Sequence, residues 1–296
     1  MSVSVEKFEH VSYPIVGLST FSWSRKVFDE IKNAVIEDVR RPIPSSIYAL
    51  TTEYGSTKWA LKTVIPQRSA QSLVYADQLL SRIIADIETW LTQKSFYEKF
   101  SIPYKKAYVL EGPPGTGKTS LATSVASHFD WDIFSLNLHD VKSDSQLSDL
   151  VTDLSKKHEP KILLIEDFDS LTSLYSRKSE SVENKNAFGL TLHGFLNCFG
   201  GVAPLANMVI FLTTNHLEKI DEAVFRPGRV DRVFHVGPVG EKEVIDYISY
   251  RYDPKEVEDF VKNKNFTFDN VRGCDLENAF LASPYKLDGF VTALRG

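Results

Sequence analysis

Short apolar runs alternate with segments of helical character through the middle of the chain. Near-continuous apolar runs predict strands at 108–110, 133–136, 162–165, 209–212 and 233–236. Strands of this kind, separated by helices, are typical of a parallel sheet that is covered on both faces. The pattern therefore predicts an α/β fold with helices on both sides of the sheet.

The regions that flank this alternating pattern differ from it. Apolar residues at helical spacing predict a helix over 27–39 and a longer amphipathic helix over 77–100. Strand-like runs at 47–50 and 59–64 lie between these two helices. After Gly240 the apolar spacing is helical to the end of the chain. We therefore expect three domains: an α+β domain over 1–65, an α/β domain over 66–238 and a helical domain over 239–296.

Composition and charge exclude several classes of protein. The chain has 296 residues, of which 43% are hydrophobic and 25% charged, so a packed globular core is expected. Its 34 basic and 39 acidic residues give a net charge of −5, which provides no general attraction to nucleic acid. The two cysteines and the scattered histidines predict neither a disulfide framework nor a zinc site. No apolar stretch approaches the roughly 20 residues of a membrane helix, so we expect a cytoplasmic protein without membrane insertion.

One segment has the pattern G-x-x-x-x-G-K-[ST] between a predicted strand and a predicted helix, which is the context that this motif requires. Its glycines let backbone N–H groups converge on phosphate oxygens, and the helix N-terminus adds the positive end of its dipole. Lys118 is expected to reach the β- and γ-phosphates, and the Thr119 hydroxyl to bind Mg²⁺. The residues expected to bind the nucleotide are Gly112, Pro113, Pro114, Gly115, Thr116, Gly117, Lys118, Thr119 and Ser120.

Two further predicted strands end in polar residues. Glu166 and Asp167 follow the strand at 162–165, and Asn215 closely follows the strand at 209–212. In open α/β folds ligands bind at the carboxyl ends of the strands, and phosphoryl transfer needs an acidic element for Mg²⁺ and for the attacking water. We expect the acidic pair to provide it. Asn215 either contacts the water or the γ-phosphate, or serves only as a turn residue.

Four segments together resemble a known family. GPPGTGKTS, ILLIEDFDS, LTTNH and FRPGRVDR, in this order and spacing, resemble the AAA family of ring-forming ATPases over residues 66–295. Within that family, residues 102–108 and 191–201 and the Glu-Asp order of the acidic pair are most similar to the mitochondrial AAA chaperones that translocate the Rieske iron–sulfur protein during assembly of the cytochrome bc1 complex. Those chaperones carry a membrane helix, which this chain is expected to lack.

The resemblance implies roles for five residues. Glu166 falls at the family's Mg²⁺ position and Asp167 at the position of its catalytic carboxylate, although the inverted order leaves open which of the two acts. Asn215 matches the sensor of the γ-phosphate. Arg226 and Arg229 match the arginine fingers that reach the nucleotide of a neighbouring subunit.

The resemblance also assigns segments outside the phosphate loop. Gly273 begins a segment similar to the one by which the AAA lid closes on the base, and residues 72–76 match the segment that lines the adenine pocket. Residues 137–142 offer no aromatic side chain of the kind that threads unfolded polypeptide through a ring. The polar stretch at 170–186 is either a surface loop or a contact with a client.

The function that the resemblance implies is ATP hydrolysis with ATP and Mg²⁺ as ligands. The chain is expected to form a homo-oligomeric ring, a hexamer or a heptamer, that remodels or translocates a macromolecular client, with protein as the favoured class. Two alternatives stay open at this point. One is a nucleotide-gated binding scaffold with little turnover, and the other is an AAA motor that acts on DNA, although nucleic acid is not the expected partner.

Overall fold

The structure, a computed structural model, describes residues 4–6, 15–17, 45–53, 56–65, 72–157, 159–170, 190–200, 205–263 and 267–295. The chain divides into two compact units, Met1–Ile43 and Pro44–Gly296. In the first unit, β1 (Ser4–Glu6) pairs antiparallel with β2 (Ile15–Gly17). The helix predicted over 27–39 and most of the polar stretch at 170–186 lie outside the described residues.

A seven-stranded sheet forms the centre of the second unit. Its strands are β3 (Ser46–Glu53), β4 (Ser56–Val64), β5 (Lys105–Glu111), β6 (Ile133–Leu136), β7 (Lys161–Ile165), β8 (Met208–Thr214) and β9 (Arg232–His235). The strand order is β4-β3-β6-β7-β8-β5-β9, and neighbouring strands are parallel except for the β3–β4 hairpin. The strands predicted from the apolar runs are confirmed, and so is the α/β fold with a largely parallel sheet.

Helices cover both faces of this sheet. They are α1 (Leu79–Thr92), α2 (Lys94–Lys99), α3 (Lys118–Phe129), α4 (Asp144–Lys156) and α5 (Leu192–Gly200). Ala107 and Val109 of β5 share one apolar cluster with α4 and α5. Tyr108 and Leu110 share the other cluster with α1 and α3. Because successive side chains of a strand point to opposite faces, the two clusters lie on opposite sides of the sheet.

The β3–β4 hairpin lies in this sheet and not in a separate N-terminal domain. The sequence assigns residues 1–65 to that domain, whereas β3 pairs in parallel with β6. The Tyr48 ring stacks on Phe134 of β6 at a centroid distance of 4.8 Å, and the Trp59 ring meets Phe134 edge-on at 5.3 Å. An isolated two-stranded hairpin is marginally stable in water. Its aromatic residues Tyr48 and Trp59 are partly buried against the larger sheet, so the strands belong with the second unit.

The end of the chain is helical, as the sequence predicts. Its helices are α6 (Glu241–Arg251), α7 (Pro254–Asn263), α8 (Gly273–Ala282) and α9 (Leu287–Arg295). These helices enclose an apolar cluster of their own, which includes Val244, Leu276 and Phe290. Within the described ranges, no helix is long and apolar enough to cross a membrane.

Candidate nucleotide-binding site

The loop between β5 and α3 has a backbone shape that depends on glycine. Gly112, Gly115 and Gly117 have φ angles of 148°, 81° and 95°, which L side chains rarely adopt. A Cβ atom at Gly112 would also lie 2.2 Å from the carbonyl oxygen of Val236. Gly117 is the N-cap of α3, so the N–H groups of the first helical turn point into the loop. This arrangement provides the anion-binding N–H groups that the motif predicts.

Lys118 is the buried cation of this loop, with 9% of its surface exposed. Its ammonium group donates to the carbonyl oxygens of Gly112 at 2.8 Å and Pro113 at 2.9 Å, and to Asn215 Oδ1 at 2.7 Å. Burial lowers the pKa of Lys118, while nearby carboxylates, of which Asp167 is the strongest, oppose the shift. The contact with Asn215 therefore joins the phosphate loop directly to the end of β8.

The acidic pair after β7 lies beside the loop, and its two carboxylates have different surroundings. Thr119 Oγ1 donates to Glu166 Oε1 at 2.6 Å. The backbone N–H of Asp167 donates to Thr213 Oγ1 at 3.2 Å, and φ of Asp167 is 49°, an angle that Asp tolerates better than most residues. In the described part of the chain, the Asp167 carboxylate accepts no hydrogen bond. The structure thus places Glu166 with the Thr119 hydroxyl and leaves the Asp167 carboxylate separate.

These oxygens suit a magnesium ion bound together with a substrate. Mg²⁺ prefers oxygen ligands and keeps several waters, so a protein binds it through one or two carboxylates plus substrate phosphates. The Thr119 hydroxyl and the Glu166 carboxylate provide such a partial set. Nowhere in the described ranges do three or more His, Cys, Asp or Glu side chains form a cluster that could hold a metal by itself.

A hydrogen-bond network that the sequence analysis did not identify connects the ends of β7 and β8. Phe168 N–H donates to the carbonyl oxygen of Thr213 at 2.9 Å. Thr214 Oγ1 donates to Asp169 Oδ1 at 2.8 Å and accepts from His216 N–H at 2.9 Å. Because Thr214 and His216 flank Asn215 in the chain, this network holds the backbone on both sides of Asn215. The sequence carries no signal for it other than the position of these residues at strand ends.

A pocket of about 600 Å³ lies over the loop and the acidic pair. That volume is typical of a small-molecule site. Tyr75 hydrogen-bonds through its hydroxyl to the carbonyl oxygen of Gly117 at 3.1 Å, and Cys274 N–H donates to the carbonyl oxygen of Gly115 at 3.0 Å. The pocket is lined by Leu73, Val74, Tyr75, Pro114, Gly115, Thr116, Gly117, Lys118, Thr119, Ser120, Glu166, Asp167, Thr213, Asn215, Gly273, Cys274, Glu277 and Asn278.

Most of the residues predicted from sequence therefore meet at one pocket, but Gly112 and Pro113 of the loop and the two arginines do not line it. Arg226 is exposed, and Arg229 is half-buried. The Arg229 guanidinium donates through NH1 to the carbonyl oxygen of Ala223 at 2.6 Å. That these arginines reach the nucleotide bound by a neighbouring subunit stays a prediction.

The fold and the loop define a P-loop nucleotide-binding domain, because a glycine-rich turn opens a helix directly after a central strand of a parallel sheet. Residues 108–238 match the sequence profile of the ATPase family associated with various cellular activities (AAA). The chain therefore contains an AAA domain, as its resemblance to the family indicates.

Relatives of known name refine this assignment. The chain is 31% identical over 274 residues to the probable mitochondrial chaperone bcs1 of Schizosaccharomyces pombe, an alignment that covers 89% of this chain and 58% of that protein. It is 35% identical over 176 residues to the mitochondrial chaperone BCS1 of Homo sapiens, with 58% and 41% covered. An AAA-ATPase of Arabidopsis thaliana is 31% identical over 212 residues, with 70% and 44% covered. The chain thus spans about half the length of the curated relatives it matches, and the similarity to mitochondrial AAA chaperones is confirmed.

Proposed function

We propose that this chain hydrolyses ATP with Mg²⁺ and acts as a ring-forming AAA ATPase that remodels or translocates a macromolecular client. The observation that carries the proposal is the convergence of Lys118, Thr119, Glu166, Asp167 and Asn215 on one pocket beside the N-terminus of α3. Phosphoryl transfer depends almost entirely on positioning and on electrostatic stabilisation of the phosphates. This set contains a cation, oxygen ligands for Mg²⁺, a second carboxylate that accepts no hydrogen bond from the described residues, and a neutral hydrogen-bonding group, which are the parts that the reaction needs.

The surroundings of the two carboxylates support a division of roles. The hydrogen bond from Thr119 favours Glu166 as the carboxylate on the magnesium side. A bound Mg²⁺ supplies charge neutralisation at the β- and γ-phosphates. Asp167, whose side chain is not tied to Thr119, is left to orient or deprotonate the water that attacks the γ-phosphate in line. Lys118 and Asn215 would exchange their mutual contact for contacts with the phosphate.

Mutation of each carboxylate tests this division. We expect Asp167→Asn to keep nucleotide affinity and to lower the rate of phosphate release by about 10²-fold or more, as for loss of a general base. We expect Glu166→Gln to weaken the Mg²⁺ dependence of nucleotide binding. Asp149→Asn, which changes an exposed carboxylate on α4, is the matched control and should behave as wild type. Equal rates for wild type and Asp167→Asn would favour the nucleotide-gated scaffold.

The proposal of a ring is based on the placement of the two arginines. Arg226 and Arg229 do not line the pocket of their own chain, and their sequence context resembles that of the AAA arginine fingers, which reach the nucleotide of a neighbouring subunit. A homo-oligomer in which each chain completes the next site, such as a hexamer or a heptamer, would bring such cations to the nucleotide.

The class of client and the cellular compartment are also proposals. Relatives named as mitochondrial chaperones favour a protein client, and the net charge of −5 does not favour the DNA motor. The alignments cover 58% of the fission yeast chaperone and 41% of the human one, so the rest of those proteins is not represented in the comparison. We retain the cytoplasm as the proposed compartment, although the names of those relatives place them in mitochondria.

A further inference from the structure

Lys105, the first residue of β5, carries a buried ammonium group that the site described above does not use. Only 6% of Lys105 is exposed. Its Nζ donates to the carbonyl oxygen of Gly228 at 2.8 Å and to that of Arg229 at 3.1 Å. A buried charge is costly unless it is hydrogen-bonded. The contacts that satisfy Lys105 are therefore made to the backbone of residues 226–229, which we call the arginine loop.

Asp231 attaches the same segment to β5 a second time. Its carboxylate Oδ2 accepts from Ala107 N–H at 2.7 Å, and its own N–H donates to the Ala107 carbonyl oxygen at 2.8 Å. Asp231 is also close enough to Lys105 to act on its charge, since burial lowers the pKa of Lys105 while the Asp231 carboxylate opposes that shift. Both attachments therefore act on β5, the strand that continues into the phosphate loop.

The arginine loop has a fixed backbone in addition to these attachments. Arg229 N–H donates to the Arg226 carbonyl oxygen at 3.1 Å, which closes a turn, and Gly228 supplies the φ of 84° that the turn needs. Lys105 Nζ also lies 5.3 Å from the ring centroid of Phe199 on α5. The side chain of Arg226 is nevertheless exposed. The loop is thus held by its backbone while it presents a cation outward.

We propose that Lys105 and Asp231 are positioning residues that hold the arginine loop in the shape that a neighbouring copy of this chain requires. The proposal rests on the proposed function, because it needs the arginines to act across a subunit boundary. A displacement of about 1 Å at a catalytic group can cost about 10²-fold in rate, so a loose loop would lower turnover in the neighbouring site. The nucleotide site of the altered chain would itself stay intact.

Lys161 provides a matched control for Lys105. It is the first residue of β7, 3% exposed, and its Nζ donates to the carbonyl oxygens of Lys157 at 2.8 Å and Asn207 at 3.3 Å. Neither acceptor belongs to the arginine loop. Lys161→Met therefore removes a buried ammonium of the same kind without affecting the loop.

The test is complementation between two variants. Lys105→Met has an intact active site and a loosened arginine loop, whereas Asp167→Asn has a defective active site and an intact loop. We expect Lys105→Met to bind a fluorescent ATP analogue as wild type does. Its kcat should fall by about tenfold or more, which is part of the rate enhancement that an arginine finger supplies. Mixing it at low concentration with Asp167→Asn and then allowing assembly should restore turnover above that of either variant alone. Lys161→Met should keep wild-type kcat.

Several outcomes would overturn the inference. A wild-type kcat for Lys105→Met would do so, as would a loss of its nucleotide affinity, or a loss of turnover that mixing with Asp167→Asn subunits fails to restore. If Lys105→Met does not fold, Asp231→Ala takes its place in the same mixture with the same expectations. If Arg226→Ala is also fully active, the proposed function itself fails at the shared site. If Arg226→Ala is inactive while Lys105→Met is active, only the positioning inference fails.

Discussion

The ammonium group of Lys118 donates to three acceptors, and one of them is the side chain of Asn215. A phosphate must therefore compete with these oxygens for Lys118. Exchange of the Asn215 contact would free its amide to face the γ-phosphate. We therefore expect nucleotide binding to change this hydrogen bond.

The charge of the side chain at position 215 should determine how strongly the pocket prefers ATP to ADP. We expect Asn215→Asp to strengthen the contact with Lys118 and to repel the γ-phosphate, since like charges at close range are unfavourable. The ratio of ATP affinity to ADP affinity should fall by about tenfold, which corresponds to about 1.4 kcal/mol. Titration with fluorescent analogues of both nucleotides measures this ratio.

Asn278→Asp is the control for this measurement. Asn278 lines the same pocket but lies on α8, one of the helices at the end of the chain. An added carboxylate there should leave the ratio of the two affinities nearly unchanged. An equal fall in both variants would show that added negative charge, and not the position of Asn215, governs the result.

Residues that belong to a contiguous motif could be predicted from the sequence. Residues whose contacts lie far away in the chain could not. Gly112, Lys118 and Thr119 lie in one contiguous motif whose spacing is typical of a phosphate-binding turn. Asp169 and Lys105 have no such signal, because their partners are 45 and 123 positions away in the chain. Only the pairing of strands brings those partners within hydrogen-bonding distance.

At the scale of elements, the β3–β4 hairpin shows how a strand can be predicted correctly while its partner is not. Its strand-like runs predicted strands at 47–50 and 59–64, and both are present. The pattern does not specify which strand lies beside them. Parallel pairing of β3 with β6 places the hairpin at the edge of the AAA sheet.

Membership of the sheet makes the hairpin part of the cooperative unfolding of the second unit. Trp59 packs against Phe134 and donates through Nε1 to the carbonyl oxygen of Leu150 at 3.4 Å. We expect Trp59→Ala to lower the free energy of unfolding of the whole unit by about 2 kcal/mol, less than for a fully buried Trp. Urea denaturation followed by circular dichroism measures this change.

Leu61→Ala provides the comparison on the same strand, because Leu61 is 59% exposed. Its unfolding free energy should lie within about 0.5 kcal/mol of the wild-type value. A hairpin that folded as a separate domain would instead give Trp59→Ala two transitions, with the larger one unchanged.

At the scale of the whole molecule, the pocket of a single chain contains Lys118 as its cation but neither arginine of the arginine loop. An arginine finger can contribute about 10³ to 10⁵ in rate, so an isolated chain should be a poor enzyme. In the proposed ring, assembly would then regulate activity through mass action, since the complete site would form only between copies.

Specific ATPase activity should therefore rise with protein concentration until assembly is complete. We expect Arg229→Ala to abolish this rise while ATP binding is retained, with phosphate release and light scattering measured on the same samples. Lys142→Ala, which removes an exposed lysine outside the arginine loop, is the control and should follow the wild-type curve. A specific activity that is independent of concentration would count against a site shared between subunits.

The sequence by itself determined the α/β class, the strand and helix positions around the phosphate loop, and the choice of Lys118, Thr119 and the acidic pair as candidate site residues. These follow from local periodicity and from a contiguous motif, which need no knowledge of distant contacts. The tertiary structure decided that β3 and β4 join the sheet, that Glu166 is the carboxylate beside Thr119, and that Lys105 and Asp231 hold the arginine loop. Each of those depends on which strands pair, and pairing is set by burial and hydrogen bonding between segments far apart in the chain.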